Sequence, residues 1–282
     1  MPQFRPGGSR LRCPLFSFII FVAAATACAL PAWAHETWIL PAFARVESPR
    51  IIPLAITSGM VFPHSVTAIP AERLNQSGIR IGKQNAGQLQ PRGEMGSNLL
   101  ASADLNRPGI ACVWLALPEL PVDLTPELVQ VYFDEIQADP EVRRAWAARK
   151  SDLWQERYEK FAKAIVRVGK VDPSDRSWAA PIGGALEIVP ESDPTTMTPG
   201  AAFTVRVLKS GRPLAGLMLA AQEKGKRDWQ RTDLRGRATF QLTGNGPWLI
   251  HGTQLRPADS SGTQWRSWFT TLTIARQGAP GR

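Results

Sequence analysis

Proline and glycine cut this chain into short pieces. It holds 24 prolines and 23 glycines in 282 residues, and the apolar residues between them fall in brief runs: "TWILPAFARV", "RIIPLAITSGMVFP", "SGIRIG" and "PGIACVWLAL". Proline removes a backbone donor, and both residues favour turns over continuous regular structure. Short strands with closely spaced turn signals suit an antiparallel sandwich. The first such unit is expected over 35–122, closed by "PELP".

The pattern changes at Thr125. "TPELV" offers an N-cap threonine with proline at the first helical position, and "DPEVRRAWAARK" repeats the device with Asp139 and Pro140. In "SDLWQERYEKFAKAIVRVGK" the residues Trp154, Tyr158, Phe161 and Ile165 recur at steps of four, three and four, which predicts a helix ending at Gly169. A helical segment is therefore expected over 123–170, packed on the sandwich, followed by a linker over 171–184. From Ala185 the strand pattern returns, with turns at "KSGRP", "DLRGR" and "GNGP". Six or seven strands over 185–276 predict a second sandwich, and 277–282 read as a disordered tail. The fold class expected is mainly β: two immunoglobulin-like or prealbumin-like antiparallel β-sandwiches with a helical insertion between them.

The N-terminus reads as an export signal. Arg5, Arg10 and Arg12 precede the apolar run "FSFIIFVAAATACAL", and Ala32-Trp33-Ala34 supplies small residues at the −3 and −1 positions of a signal peptidase site. An apolar run of about 15 residues falls short of the ~20 needed to span a bilayer. A lipoprotein would use Cys28, but the leucine usual three residues upstream is Ala25 here. Cleavage after Ala34 and a periplasmic destination are expected. Such a cut removes Cys13 and Cys28 and leaves Cys112, in an apolar run, as a buried strand thiol, so stability must come from apolar cores. Of 33 basic residues three lie in the leader, leaving +6 against 24 acids. A solvated basic face accounts for this charge, and no nucleic-acid partner is expected.

Phosphate-cradling Gly-Lys-Thr loops, His-Glu-x-x-His, Gly-x-Ser-x-Gly and Cys-x-x-Cys are all absent from the sequence. Acid pairs such as Asp134 and Glu135 read as solvated surface, and no enzymatic activity is expected. Three histidines remain: His35, His64 in "VFPHS", and His251 at the end of "GPWLIHG". After cleavage His35 becomes the first residue. Its α-amine, which ordinarily titrates near pH 8, then loses its proton to a metal near neutral pH. Amine and ring Nδ1 close a six-membered chelate. His64 and His251 would add imidazoles and Glu36 an oxygen, a donor set suited to copper, nickel, cobalt or zinc.

The chain also resembles a bacterial family of unknown function. The resemblance rests on "HETWILP", "GMVFPHS", "RYEKFAKAIVRVG", "GALEIVPESDP", "VRVLKSGRPLAG", "TDLRGRATFQL" and "GPWLIHG". Members are often described as periplasmic components of ABC-type cobalt/nickel transport systems. The resemblance implies transition-metal handling, a second domain like prealbumin or carboxypeptidase-regulatory modules, and an ABC-type or other membrane metal transporter as partner. The family's N-terminal histidine falls on His35 and its strand-closing histidine on His251, while Tyr158 and Lys163 fall on a helix motif with a structural role. "HET" departs from the acid and aromatic that members often carry directly after this histidine.

The expected function is thus periplasmic capture or delivery of nickel or cobalt through His35. Two alternatives stand beside it. One is a copper carrier or an N-terminal-histidine copper oxidase or monooxygenase; the other is a structural or adhesion sandwich with incidental histidines.

Overall fold

The computed structural model describes Met1 and residues 35–149, 152–258 and 263–275. The expected leader, its cleavage site after Ala34 and the tail 277–282 lie outside the described residues. The strands in chain order are β1 (Glu36–Pro41), β2 (Arg45–Val46), β3 (Arg50–Gly59), β4 (Thr67–Ala68), β5 (Ser77–Ile81), β6 (Gln84–Gly87), β7 (Gln90–Met95), β8 (Asn98–Leu105) and β9 (Gly109–Leu124). Helices α1 (Pro126–Glu135) and α2 (Pro140–Ala147) follow, then β10 (Trp154–Val168) and β11 (Leu186–Pro190). The chain continues through β12 (Ala202–Lys209), β13 (Arg212–Pro213), β14 (Met218–Glu223), β15 (Lys226–Arg231), β16 (Arg237–Gln241), β17 (Trp248–Pro257) and β18 (Gln264–Ile274).

The fold is mainly β, as the sequence predicts, and its strands form three layers. A nine-stranded sheet runs β15-β14-β17-β18-β10-β9-β5-β6, with β2 added to β10. Its pairings are antiparallel except where β10 lies parallel to β18 and to β2. One face of this sheet packs Ala111, Val113, Leu115, Ala162, Ala164 and Val166 against Ile52, Leu54, Ile56, Leu99 and Ala101 of the five-stranded sheet β1-β3-β8-β7 with β4. The opposite face packs Ile110, Cys112, Ile165, Ile250 and Leu272 against Ile188, Phe203, Val205 and Phe240 of the four-stranded sheet built on β11 and β12. Alternate residues of β9 therefore enter different cores, as the period-two pleat requires. Cys112 is a buried free thiol, as expected, and burial raises its pKa.

The helix expected over 152–169 is instead the fifteen-residue strand β10. Parity explains the error. Trp154 and Tyr158 belong to an aromatic core capped by the helices, whereas Ile165 packs in the opposite core. Phe161 shares the odd parity of Ile165, so the apparent helical stripe is two half-stripes on two faces. A central strand buried on both sides needs apolar residues at both parities, and here that mimics a 3.6-residue period. The two shorter helices form where proline and caps predict them. Thr125 Oγ1 accepts from Leu128 N at 3.5 Å. Asp139 makes no side-chain cap bond and pairs with Arg231 at 2.7 Å. Beyond Ala185 the described residues form eight strands rather than six or seven, the two-residue β13 being too short to leave a run of its own. No helix among the described residues is long and apolar enough to cross a membrane.

Candidate metal centre

One face of the nine-stranded sheet carries polar residues where apolar ones would be ordinary. Register places His251 of β17 opposite Thr271 of β18 and Ala220 of β14, and Ala220 opposite Trp229 of β15. In the same parity, β10 contributes Glu156, Tyr158 and Lys160 beside Trp265, Ser267 and Phe269. Strand β1 crosses this face. Thr271 Oγ1 donates to the carbonyl of Thr37 at 2.7 Å, and Lys160 Nζ donates to the carbonyl of His35 at 2.6 Å. Residues 35–37 are thus held over β10 and β18, from sequence distances of 125 and 234 residues.

His251 is 2% exposed and sits at mid-strand rather than at the strand end expected. Its Nδ1 lies 3.0 Å from Glu36 Oε1. A carboxylate only accepts, so Nδ1 carries a proton and donates to it. His251 Nε2 is buried and has no hydrogen-bond partner among the described residues, and the same holds for His35 Nδ1 and Glu36 Oε2. Buried polar atoms are nearly always satisfied, so each orphan calls for an explanation. Hydroxyls of Thr253, Thr270 and Thr273 are orphaned on the same two strands, but a neutral imidazole aims a fixed, basic lone pair and a hydroxyl does not.

His35 is 3% exposed, and burial, reinforced by the Lys160 ammonium, lowers its pKa. The ring is therefore neutral near pH 7 with nitrogen free to coordinate. Glu36, expected from the sequence as an oxygen donor, sets Oε1 against His251 and leaves Oε2 without a partner; a carboxylate on one imidazole nitrogen fixes the tautomer and raises the basicity of the other. Both orphaned imidazole nitrogens are chemically of ligand type.

His64 stands apart. Its side chain is exposed, in the turn after Val61, whose carbonyl accepts from His64 N at 2.6 Å. Its backbone does approach the site: the His64 carbonyl lies where a Cβ on Gly59 would come within 2.6 Å, and Gly59 is the register partner of Glu36. No group of three His, Cys, Asp or Glu side chains suited to a metal forms among the described residues. A donor set of two imidazoles and a terminal amine contains only two such side chains.

Several neighbours have no motif to announce them. The Trp229 ring stands edge-on to His251 with centroids 6.0 Å apart. Arg227 Nη2 donates to the carbonyl of Met60 at 2.7 Å. Glu135, expected as solvated surface, is half-buried, and desolvation pushes its pKa up to about 7 against the pull of Arg227. Asp134 beside it is exposed. Deeper in the sheet, Glu156 accepts from Tyr132 Oη at 3.1 Å, from Trp154 Nε1 at 3.0 Å and from Ser267 Oγ. Burial raises it to about 7 and lowers Lys160 to about 8. The one available signal was the pair of lysines inside the apolar run "KFAKAIV".

Comparison with known proteins adds little chemistry. No curated protein matches the chain. Among solved structures it matches "Structures of Clostridium thermocellum CbhA fibronectin(III)-like modules" at 9% identity, covering 86% of this chain and 97% of that one, with a TM-score of 0.17. So low a score says nothing about shared architecture. A family model does match, over residues 32–254, and this chain belongs to that family, described as Domain of unknown function (DUF4198).

Proposed function

We propose that this protein is exported and binds a transition-metal ion, with nickel or cobalt as cargo, through a mature N-terminal His35 and through His251. The observation that carries this reading is the pair of buried imidazole nitrogens, His35 Nδ1 and His251 Nε2, left without partners. Cleavage after Ala34 would add the α-amine of His35 and complete a three-nitrogen set. Capture would release the proton of that amine, so affinity should fall below about pH 7 to 8, where the amine stays protonated. Delivery to a membrane metal transporter, of the ABC type or another, follows as the role.

A copper carrier is the second reading, and the all-nitrogen character of the donors favours it, since copper(II) heads the affinity order for such sites. A surface-acting copper oxidase is disfavoured by His251, which lies under Trp229 at 2% exposure. Oxidised products from insoluble polysaccharide with copper and reductant would reverse that ranking. A purely structural role predicts no metal at all.

The test is isothermal titration of correctly processed protein with nickel, cobalt, copper and zinc, after N-terminal sequencing confirms His35 as the first residue. Binding tighter than about 1 μM is expected, and it should be lost in His35→Ala made with cleavage preserved and in protein carrying an extra methionine before His35. No binding by the processed wild type, or unchanged binding by His35→Ala, would sink the proposal.

A further inference from the structure

Lys160 sits in the middle of β10, 5% exposed, on the face that β1 crosses. Its Nζ bonds the carbonyl of His35 at 2.6 Å and lies 5.2 Å and 5.1 Å from the ring centroids of Tyr158 and Phe269. The contrast with Lys163, three residues on, is instructive. Lys163 is as deeply buried but bonds the Glu187 carboxylate at 2.6 Å. That carboxylate also accepts from the backbone nitrogens of Ile182, Gly183 and Gly184. It has the features of a structural ion pair. The hydrogen bond of Lys160 goes to one main-chain carbonyl 125 residues away, with Glu36 and Glu156 close enough to attract it electrostatically. A buried ammonium is costly unless well compensated, and an apolar residue of similar volume often serves packing better. A lysine held here therefore points to what it holds.

We infer that Lys160 is the positioning residue of the metal centre: by clamping the His35 carbonyl it fixes the peptide plane between His35 and Glu36, and with it the direction in which the main-chain nitrogen and ring of His35 face His251. This rests on the metal-binding reading above. A terminal residue has few constraints on its own backbone. A chelate of amine and ring on one residue is aimed at a further ligand such as His251 only when the Cα to carbonyl bond and the side-chain torsions are both set. The clamp supplies the first of these before metal arrives, and it occupies the carbonyl oxygen so that nitrogen donors alone face the ion. Thr271 makes a comparable bond two residues further along, to the carbonyl of Thr37. That bond lies beyond Glu36 and anchors the strand without touching the peptide plane of His35.

The experiment compares processed wild type, Lys160→Met and Thr271→Val by metal titration, by the paramagnetic resonance spectrum of the copper(II)-loaded protein, and by thermal unfolding of the metal-free protein. Lys160→Met should bind metal about 10 to 100-fold more weakly, the usual cost of losing an outer-sphere support, with altered hyperfine splitting. Thr271→Val, which removes the neighbouring anchor of β1, measures how far loosening the strand alone weakens binding, and Lys160→Met should exceed it in both loss of affinity and change of spectrum. Wild-type affinity and spectrum in a folded Lys160→Met would overturn the inference while leaving the metal-binding reading intact. Absence of binding in the wild type would remove both. Should Lys160→Met not fold, Lys160→Gln, whose shorter side chain cannot reach the carbonyl, is read by the same spectrum.

Discussion

Glu36 shows how one contact changes the role of a residue. In the sequence it is an acid beside a histidine and reads as a ligand; in the fold its Oε1 lies 3.0 Å from His251 Nδ1, so under the proposed function the carboxylate would act on the metal through the ring. The two roles give different mutational signatures. Glu36→Gln keeps an oxygen acceptor and should retain metal affinity to within about tenfold, while Glu36→Ala frees the ring and should lose about 10 to 100-fold. Isothermal titration of both variants checks this. Complete loss in Glu36→Gln would return Glu36 to direct coordination. His35 and His251 were legible as candidates because histidine is rare here, three in 282 residues. Lys160, Trp229 and Glu135 were not, since lysine, tryptophan and glutamate acquire this role only from their neighbours.

At the level of elements, β10 decides most of the architecture and was the element misread. It pairs with β9, β18 and β2 and feeds side chains to three cores. A helical wheel and a doubly buried strand both leave few polar gaps, so periodicity alone could not separate them. The β-branched cluster at its C-terminal end and the two buried lysines were better guides than the aromatic spacing. Lys163 fastens β10 to β11 through Glu187, both side chains 1% exposed. Glu187→Gln leaves that ammonium without its counter-charge and should destabilise the fold by about 3 to 5 kcal/mol. Replacing both partners with apolar residues of similar volume should recover most of the loss. Chemical denaturation of the three proteins measures this, and an undisturbed midpoint in Glu187→Gln would show the pair to be inert.

Across the whole molecule, buried ionisable groups on one sheet face give stability a pH signature. Glu156 is raised to about 7 from an ordinary value of 4.5. The folded state therefore holds more protons than the unfolded chain between pH 4.5 and 7, and stability from this group falls as pH rises through that window. Lys160, lowered to about 8 from 10.5, works in the opposite sense: the folded state holds fewer protons between 8 and 10.5, and stability rises there. Glu156→Gln should remove its share of the lower slope, up to about 1.4 kcal/mol per pH unit, leave the share of Glu135, also raised to about 7, and lower Lys160 further by taking away an attracting charge. Denaturant midpoints across pH 4 to 11 test the sign of both. A lower window unchanged by the substitution would mean that Glu156 does not carry it.

By itself the sequence determined the class of fold, since closely spaced prolines and glycines favour strands and turns over long helices, and it determined where helices begin, because caps and prolines act within a few residues. It also marked His35 and His251, because a residue type used three times stands out without any structure. Tertiary structure alone decided which face each strand shows to which core, and so that β10 is a strand. It alone set β1 over β10 and β18, placed Glu36 against His251 Nδ1 and brought Lys160 beneath the His35 carbonyl. Those contacts join residues 125 to more than 200 positions apart, and no local spacing encodes a contact whose two ends are brought together by the pairing of entire sheets.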